Sequence, residues 1–159
     1  ALSCSIASGT VFERTVRRTI REFGMIKPRE RIAIALSGGK DSTVLMHQLV
    51  RLRERLPMDL LAILVDEGIS GYRKPTIEVA RRECKKLGIP LHIVSFKSEF
   101  GLALDGMLKR PRTMGACSFC GVFRRLCLQK AASRLRADKI ALNRRPVMPG
   151  CLPPTRSIR

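Results

Sequence analysis

Directly after the apolar run Ile32-Ala33-Ile34-Ala35-Leu36 the chain reads Ser37-Gly38-Gly39-Lys40-Asp41-Ser42. These residue types, in this order, suit the binding of phosphate. Two glycines let the backbone turn sharply and bring its N–H groups near an anion. A helix that opens after the loop adds the positive end of its dipole. Lys40 supplies a point charge, and Ser37 and Ser42 supply hydroxyl donors. A Walker A loop would need glycine where Ile34 stands and a hydroxyl residue where Asp41 stands, so this loop is of another kind. A dinucleotide fingerprint would need a third glycine opening the helix, which is absent here. The chemistry that remains is nucleotide binding by a different phosphate loop.

A second chemical signal is Cys117-Ser118-Phe119-Cys120, continuing as Gly121-Val122-Phe123-Arg124-Arg125. A Cys-x-x-Cys pair suits zinc, an iron–sulfur cluster or thiol redox chemistry, and alone it is half of a four-ligand site. A helix start and adjacent arginines are expected to favour the thiolate form. Acidic residues stand at Asp66-Glu67-Gly68, after another apolar run. A carboxylate there would face the ligand crevice of a doubly wound sheet. The remaining candidates are structural. Cys84 and Cys127 fall at core-facing helix positions, His92 lies inside an apolar strand, and His47 belongs to a helix surface.

The elements that must position these residues follow from periodicity. A first helix is expected over residues 11–23, with Phe12, Val16, Ile20 and Phe23 on one face and Arg14, Arg17, Arg18 and Arg21 elsewhere. Those arginines either face solvent or offer guanidiniums to phosphates. Gly24 and Pro28 end that helix. After the first strand and the loop, residues 43–56 carry Val44, Leu45, Leu49, Leu52 and Leu56 at helical spacing. Leu60-Leu61-Ala62-Ile63-Leu64-Val65 is a continuous apolar run of the kind buried on both faces of a parallel sheet. A helix opening at Pro75 carries Ile77, Ala80, Cys84 and Leu87, and Leu91-His92-Ile93-Val94-Ser95 forms the next strand. This alternation predicts an α/β fold: a doubly wound parallel sheet with right-handed crossovers.

Composition sets the partners. The 159 residues make about one domain, and 45% apolar residues are enough for a core. The net charge of +18, with 31 basic and 13 acidic residues, suggests a polyanion beyond the nucleotide, with RNA as the leading candidate. With no Trp and one Tyr, base stacking has few platforms. No secretory signal opens the sequence, and no run reaches the length of a membrane span. Six cysteines beside a nucleotide site therefore read as ligands or catalysts in a reducing cytoplasm.

The loop resembles the PP-loop of the ATP pyrophosphatase superfamily, the adenine nucleotide α-hydrolase-like fold, whose members cleave ATP between the α and β phosphates. With Asp66-Glu67-Gly68-Ile69, Gly71-Tyr72-Arg73 and Cys117 through Arg125, the chain resembles the tRNA uridine 2-thiolation proteins of archaea and eukaryotes over about residues 12–142. That resemblance implies ATP at Ser37, Gly38, Gly39, Lys40, Asp41 and Ser42, with Asp41 helping to hold Mg2+ and Asp66 lining the crevice. It implies adenylation of a uridine C2 carbonyl and displacement of AMP by sulfur. Cys117 and Cys120 would hold a 4Fe-4S cluster together with a third cysteine, or handle sulfur directly, and Arg124 would neutralise phosphate or adenylate charge. The implied partners are tRNA and a sulfur donor such as a ubiquitin-like sulfur carrier, with a homodimer left open and no membrane. Another PP-loop adenylating enzyme, such as a tRNA lysidine synthase, and a non-catalytic basic RNA-binding fragment are the alternatives.

The chain departs from that family at its end. After Ala137-Asp138-Lys139-Ile140-Ala141 the family continues into Gly-His-Asn-x-Asp-Asp, whereas this chain runs Asn143-Arg144-Arg145-Pro146. Residues 143–159 hold four prolines, four arginines and no acid, a composition for neither strand nor helix. A frameshift or truncated gene explains so abrupt a change, and the family's third cysteine is missing; Cys151 matches no motif. The expected organisation is a basic helix over residues 1–28, the remnant of a zinc-module junction; a partial PP-loop domain over 29–142, incomplete at its C-terminal end; and a divergent, disordered tail over 143–159. Weak nucleotide binding and impaired turnover follow from that reading.

Overall fold

The computed structural model describes residues 2–69, 73–104, 106 and 115–142, with the backbone alone at 2–10, 12, 116 and 117. The elements run α1 (Leu2–Glu22), β1 (Arg31–Leu36), α2 (Lys40–Arg53), β2 (Asp59–Asp66), α3 (Arg73–Leu87), β3 (Leu91–Ser95), α4 (Phe96–Phe100), α5 (Ala116–Arg134) and β4 (Lys139–Ala141). The strands form one sheet in the order β3-β2-β1-β4. Every pairing is parallel. The chain thus steps outward from β1 to β3 and returns to the other side of β1 with β4. The loop after β1 lies where the strand order reverses, which is where doubly wound sheets open a crevice.

Alternate residues of the two central strands feed two cores, as period-two geometry requires. Ile32, Ile34 and Leu36 of β1, with Leu60, Ala62 and Leu64 of β2, meet Met46, Leu49, Leu52, Ala80 and Cys84 from α2 and α3. On the opposite face Ala33, Leu61, Ile63 and Val65 meet Phe96 of α4 and Cys127, Leu128, Ala131 and Ala132 of α5. The sheet is covered on both faces, and the expected α/β class holds.

Several boundaries differ from expectation, each for a local reason. The first helix starts at Leu2 and ends at Glu22, so Phe23 is outside it and 72% exposed. The side chain of Phe12 lies outside the described residues. The second helix begins at Lys40, because Gly39 already adopts the extended conformation of an N-cap. Lys40, Asp41 and Ser42 therefore form its first turn, while Leu56 lies beyond its end and Val44 faces solvent. The third helix opens at Arg73, with Pro75 in the first turn, where a missing N–H costs nothing. Residues 143–159 lie outside the described residues.

Cys84 and Cys127 are core residues as expected, and burial pushes each thiol up to about 11 from its ordinary value of 9.0. A group whose pKa is raised by folding stabilises the fold below its unfolded value and loses that contribution as pH rises through the folded one. Stability should therefore fall between about pH 9 and about pH 11. The double variant Cys84→Ala/Cys127→Ala should lose much of that fall, which thermal unfolding at stepped pH will read.

Candidate active site

The phosphate loop is held by its own hydroxyls. Ser42, buried as the third residue of α2, donates to the Gly39 carbonyl at 2.9 Å and accepts from the Ser37 N–H at 3.2 Å. The Ser37 and Ser42 hydroxyl oxygens lie 3.1 Å apart. Thr43 Oγ1 donates to the same Gly39 carbonyl at 3.1 Å. Both serines thus shape the loop as well as offering donors to a ligand. Lys40 and Asp41 stand exposed on the first turn, next to the N–H groups of the helix start.

Gly38 has no substitute. Its φ is +78°, and a Cβ there would stand 2.6 Å from Thr76 Cβ and 2.7 Å from the Thr76 carbonyl oxygen. The start of α3 therefore lies against the loop. Gly68, after β2, is similarly placed, with φ at +74° and Ala103 Cβ at 2.7 Å from the missing Cβ. Asp66 accepts from the Gly68 N–H at 2.9 Å, which braces this second turn at the crevice.

The element that joins the two motifs is Glu67, a fully buried carboxylate. Its Oε2 pairs with the guanidinium of Arg73, which is itself buried. Arg73 also donates from Nη1 to the Ser37 carbonyl at 3.1 Å and from Nη2 to the Val65 carbonyl at 2.7 Å. Across the site, Arg124 Nη2 lies 2.6 Å from Glu67 Oε1 at an angle that makes it an ion pair rather than a hydrogen bond. Arg124 then donates to Cys120 Sγ at 3.7 Å. Loop, β2 end, α3 and α5 are thus tied through one carboxylate. Glu67 stands among the acids expected beside the crevice, but its pairing with Arg73 was not foreseen. The available signal was a carboxylate at a strand end followed by a guanidinium six residues on.

The expectation of a thiolate-favouring Cys120 is overturned. Burial pushes the Cys120 thiol above its ordinary value, and this outweighs the opposing pull of Arg124; the carboxylate of Glu67 adds to the rise. Arg124 cannot act with full strength because its guanidinium is shared with Glu67. Alkylation of Cys120 by iodoacetamide should accordingly be slow at neutral pH and accelerate only above pH 9, as peptide mass spectrometry will show. Arg124→Ala should slow it further.

The side chain of Cys117 lies outside the described residues. An iron–sulfur cluster needs several cysteine thiolates together, and among the described residues no three His, Cys, Asp or Glu side chains group around a metal position. Cys127, seven residues after Cys120, is fully buried in the core. Cys120 is the member of the Cys-x-x-Cys pair whose side chain is described, and no step below depends on a cluster.

Comparison with known proteins agrees with this architecture. A family profile described as a PP-loop domain matches residues 10–115. The rice protein named cytoplasmic tRNA 2-thiolation protein 1 is 44% identical over 132 residues, which are 82% of this chain and 36% of that protein. Its namesake from Chlamydomonas reinhardtii is 43% identical over 134 residues, 83% of this chain and 38% of that one. The chain thus spans little more than a third of these relatives. Among solved structures, the U34-tRNA thiolase NcsA from Methanococcus maripaludis, solved with its 4Fe-4S cluster, superposes with a TM-score of 0.72. It is 39% identical, over 82% of this chain and 42% of that one. An NH3-dependent NAD synthetase from Campylobacter jejuni shares the fold, with a TM-score of 0.54, at 20% identity over 81% of this chain and 52% of that one. With a phosphate loop at the switch point of a parallel sheet and a family match over most of its length, the chain belongs to the PP-loop domain family.

Proposed function

We propose that this chain carries the ATP-binding and uridine-activating part of a tRNA 2-thiolation enzyme. ATP would lie with its phosphates on the loop Ser37–Ser42 and the first turn of α2, and Asp41 and Asp66 would hold Mg2+ beside them. A uridine C2 carbonyl oxygen would attack the α-phosphorus, and pyrophosphate would leave. Adenylation turns that oxygen into a good leaving group. A sulfur nucleophile handled by Cys117 and Cys120 would then add to C2, and AMP would depart with the original oxygen. Arg124 supplies positive charge beside the developing phosphate and adenylate charge. A sulfur donor must feed the pair, and a ubiquitin-like carrier is the donor proposed. The cytoplasm, named in the plant and algal relatives, is the proposed compartment.

One observation supports this reading: through the carboxylate of Glu67, Arg73, which bonds the Ser37 carbonyl of the phosphate loop, is linked to Arg124, which bonds Cys120 Sγ. A simple nucleotide-binding domain has no need of a thiol tied to its loop. The test is product analysis after incubation with Mg2+, ATP and unmodified tRNA. AMP and pyrophosphate, formed only with tRNA, are expected. ADP and phosphate, or cleavage indifferent to tRNA, would overturn the proposal.

A further inference from the structure

At the other end of the molecule lies a cleft of about 530 Å³ that the proposed chemistry does not use. It runs between α1 and the C-terminal turn of α2, and Arg14, Arg17, Arg18, Arg21 and Arg55 line it. Its floor is apolar, made by Ile20, Ile26, Leu52 and Leu56. The nearby carboxylates are already engaged: Glu13 pairs with Arg51 at 3.2 Å and Glu22 with Arg18 at 3.7 Å. Among the described residues, Arg14, Arg17, Arg21 and Arg55 have no carboxylate partner. Four unpaired guanidiniums around one concave surface repel one another, and a polyanion relieves that repulsion.

The position adds meaning. Gly24 and Ile26 of the cleft precede β1, whereas the phosphate loop follows it. Six residues of strand separate the two, a span of about 20 Å. The cleft is therefore distinct from the nucleotide crevice and cannot serve the same phosphates. Guanidinium forks match phosphate oxygens, and several in a row match successive phosphates of a backbone rather than a lone anion.

We infer that this cleft binds the sugar–phosphate backbone of RNA and holds it while another part of the same molecule enters the nucleotide crevice. Biologically the inference rests on the tRNA reading above, since it needs an RNA substrate long enough to span both ends of β1. Physically it stands on the arginines. Each phosphate contact adds about 0.9 to the slope of log affinity against log salt in duplex nucleic acid. The four arginines together then account for a slope of about 3.6, which is on the order of a hundredfold in affinity between 50 and 200 mM salt.

The experiment measures tRNA affinity of the full chain across that salt range by fluorescence anisotropy. Two variants are compared, each losing four charges. One carries Arg14→Gln, Arg17→Gln, Arg21→Gln and Arg55→Gln. The other carries Arg81→Gln, Arg82→Gln, Lys85→Gln and Lys86→Gln on α3. The first should lower the slope by about 3.6, and the second by less than about 1. Single variants at exposed Arg14, Arg21 and Arg55 give the same reading in smaller steps should the quadruple variant fold poorly. Equal effects of the two sets, or none from the first, would overturn the inference. The two proposals fail separately. AMP formation with an unshifted slope sinks the cleft alone, whereas a shifted slope without tRNA-dependent AMP formation sinks the thiolation reading alone.

Discussion

Replacing Glu67 by alanine should lower the thermal midpoint by about 10 °C and abolish nucleotide binding. The carboxylate is fully buried, and its loss leaves the Arg73 guanidinium, 8% exposed, without a counter-charge. Removing one partner of a buried pair costs about 3–5 kcal/mol, and a domain of this size loses about 2–4 °C per kcal/mol. Arg124 would also lose its partner, but at 44% side-chain exposure it can turn to water. A second variant separates stability from function. Glu67→Leu with Arg73→Leu removes both buried charges, so it should recover much of the midpoint. It still loses the Arg73 bond to the Ser37 carbonyl, and ATP affinity should not return. A midpoint within about 2 °C of the parent for Glu67→Ala would show that the array contributes little.

Gly38→Ala should have the next largest effect. Left-handed backbone costs a non-glycine residue roughly 1–2 kcal/mol. The added methyl would also meet the Thr76 carbonyl oxygen at 2.7 Å, a backbone atom that cannot swing aside. Either the loop or the start of α3 must move, and both sit at the crevice. Calorimetric titration with ATP and Mg2+ should show at least a hundredfold weaker binding, on the order of 3 kcal/mol. Gly39→Ala is the control. Gly39 has φ at −88°, and its added Cβ would meet only the Ser37 hydroxyl, at 3.3 Å. Its effect should stay near tenfold. Equal losses in the two variants would contradict the assigned geometry.

The parts of the molecule that the sequence makes legible are those coded by local pattern. Six successive apolar residues from Leu60 to Val65 identify the central strand, because only a strand buried on both faces tolerates such a run. The phosphate loop is legible because its glycine at position 38 is forced by backbone geometry. Cys84 and Cys127 are legible as core through helical spacing. What escaped depends on tertiary burial. Glu67 reads as an acid beside the crevice, and its full burial between Arg73 and Arg124, 6 and 57 residues away in sequence, is visible only in the fold. The thiol of Cys120 reads as activated because its arginine is visible in the sequence and its desolvation is not. Helix α4 is five residues long, too short for periodicity, and is held by the reciprocal Ser95–Ser98 cap. The start of α1 escaped because Ser-Ile-Ala-Ser-Gly carries no amphipathic repeat.

The claim on which the account rests is that the phosphate loop and Cys120 face one crevice. The rate of Cys120 alkylation, followed by peptide mass spectrometry at pH 9 with and without saturating ATP and Mg2+, tests it most directly. Bound nucleotide should slow the reaction several-fold by covering the thiol, and the effect should vanish in Gly38→Ala. An alkylation rate indifferent to nucleotide in a protein shown to bind it would place the two motifs in separate sites and contradict the account.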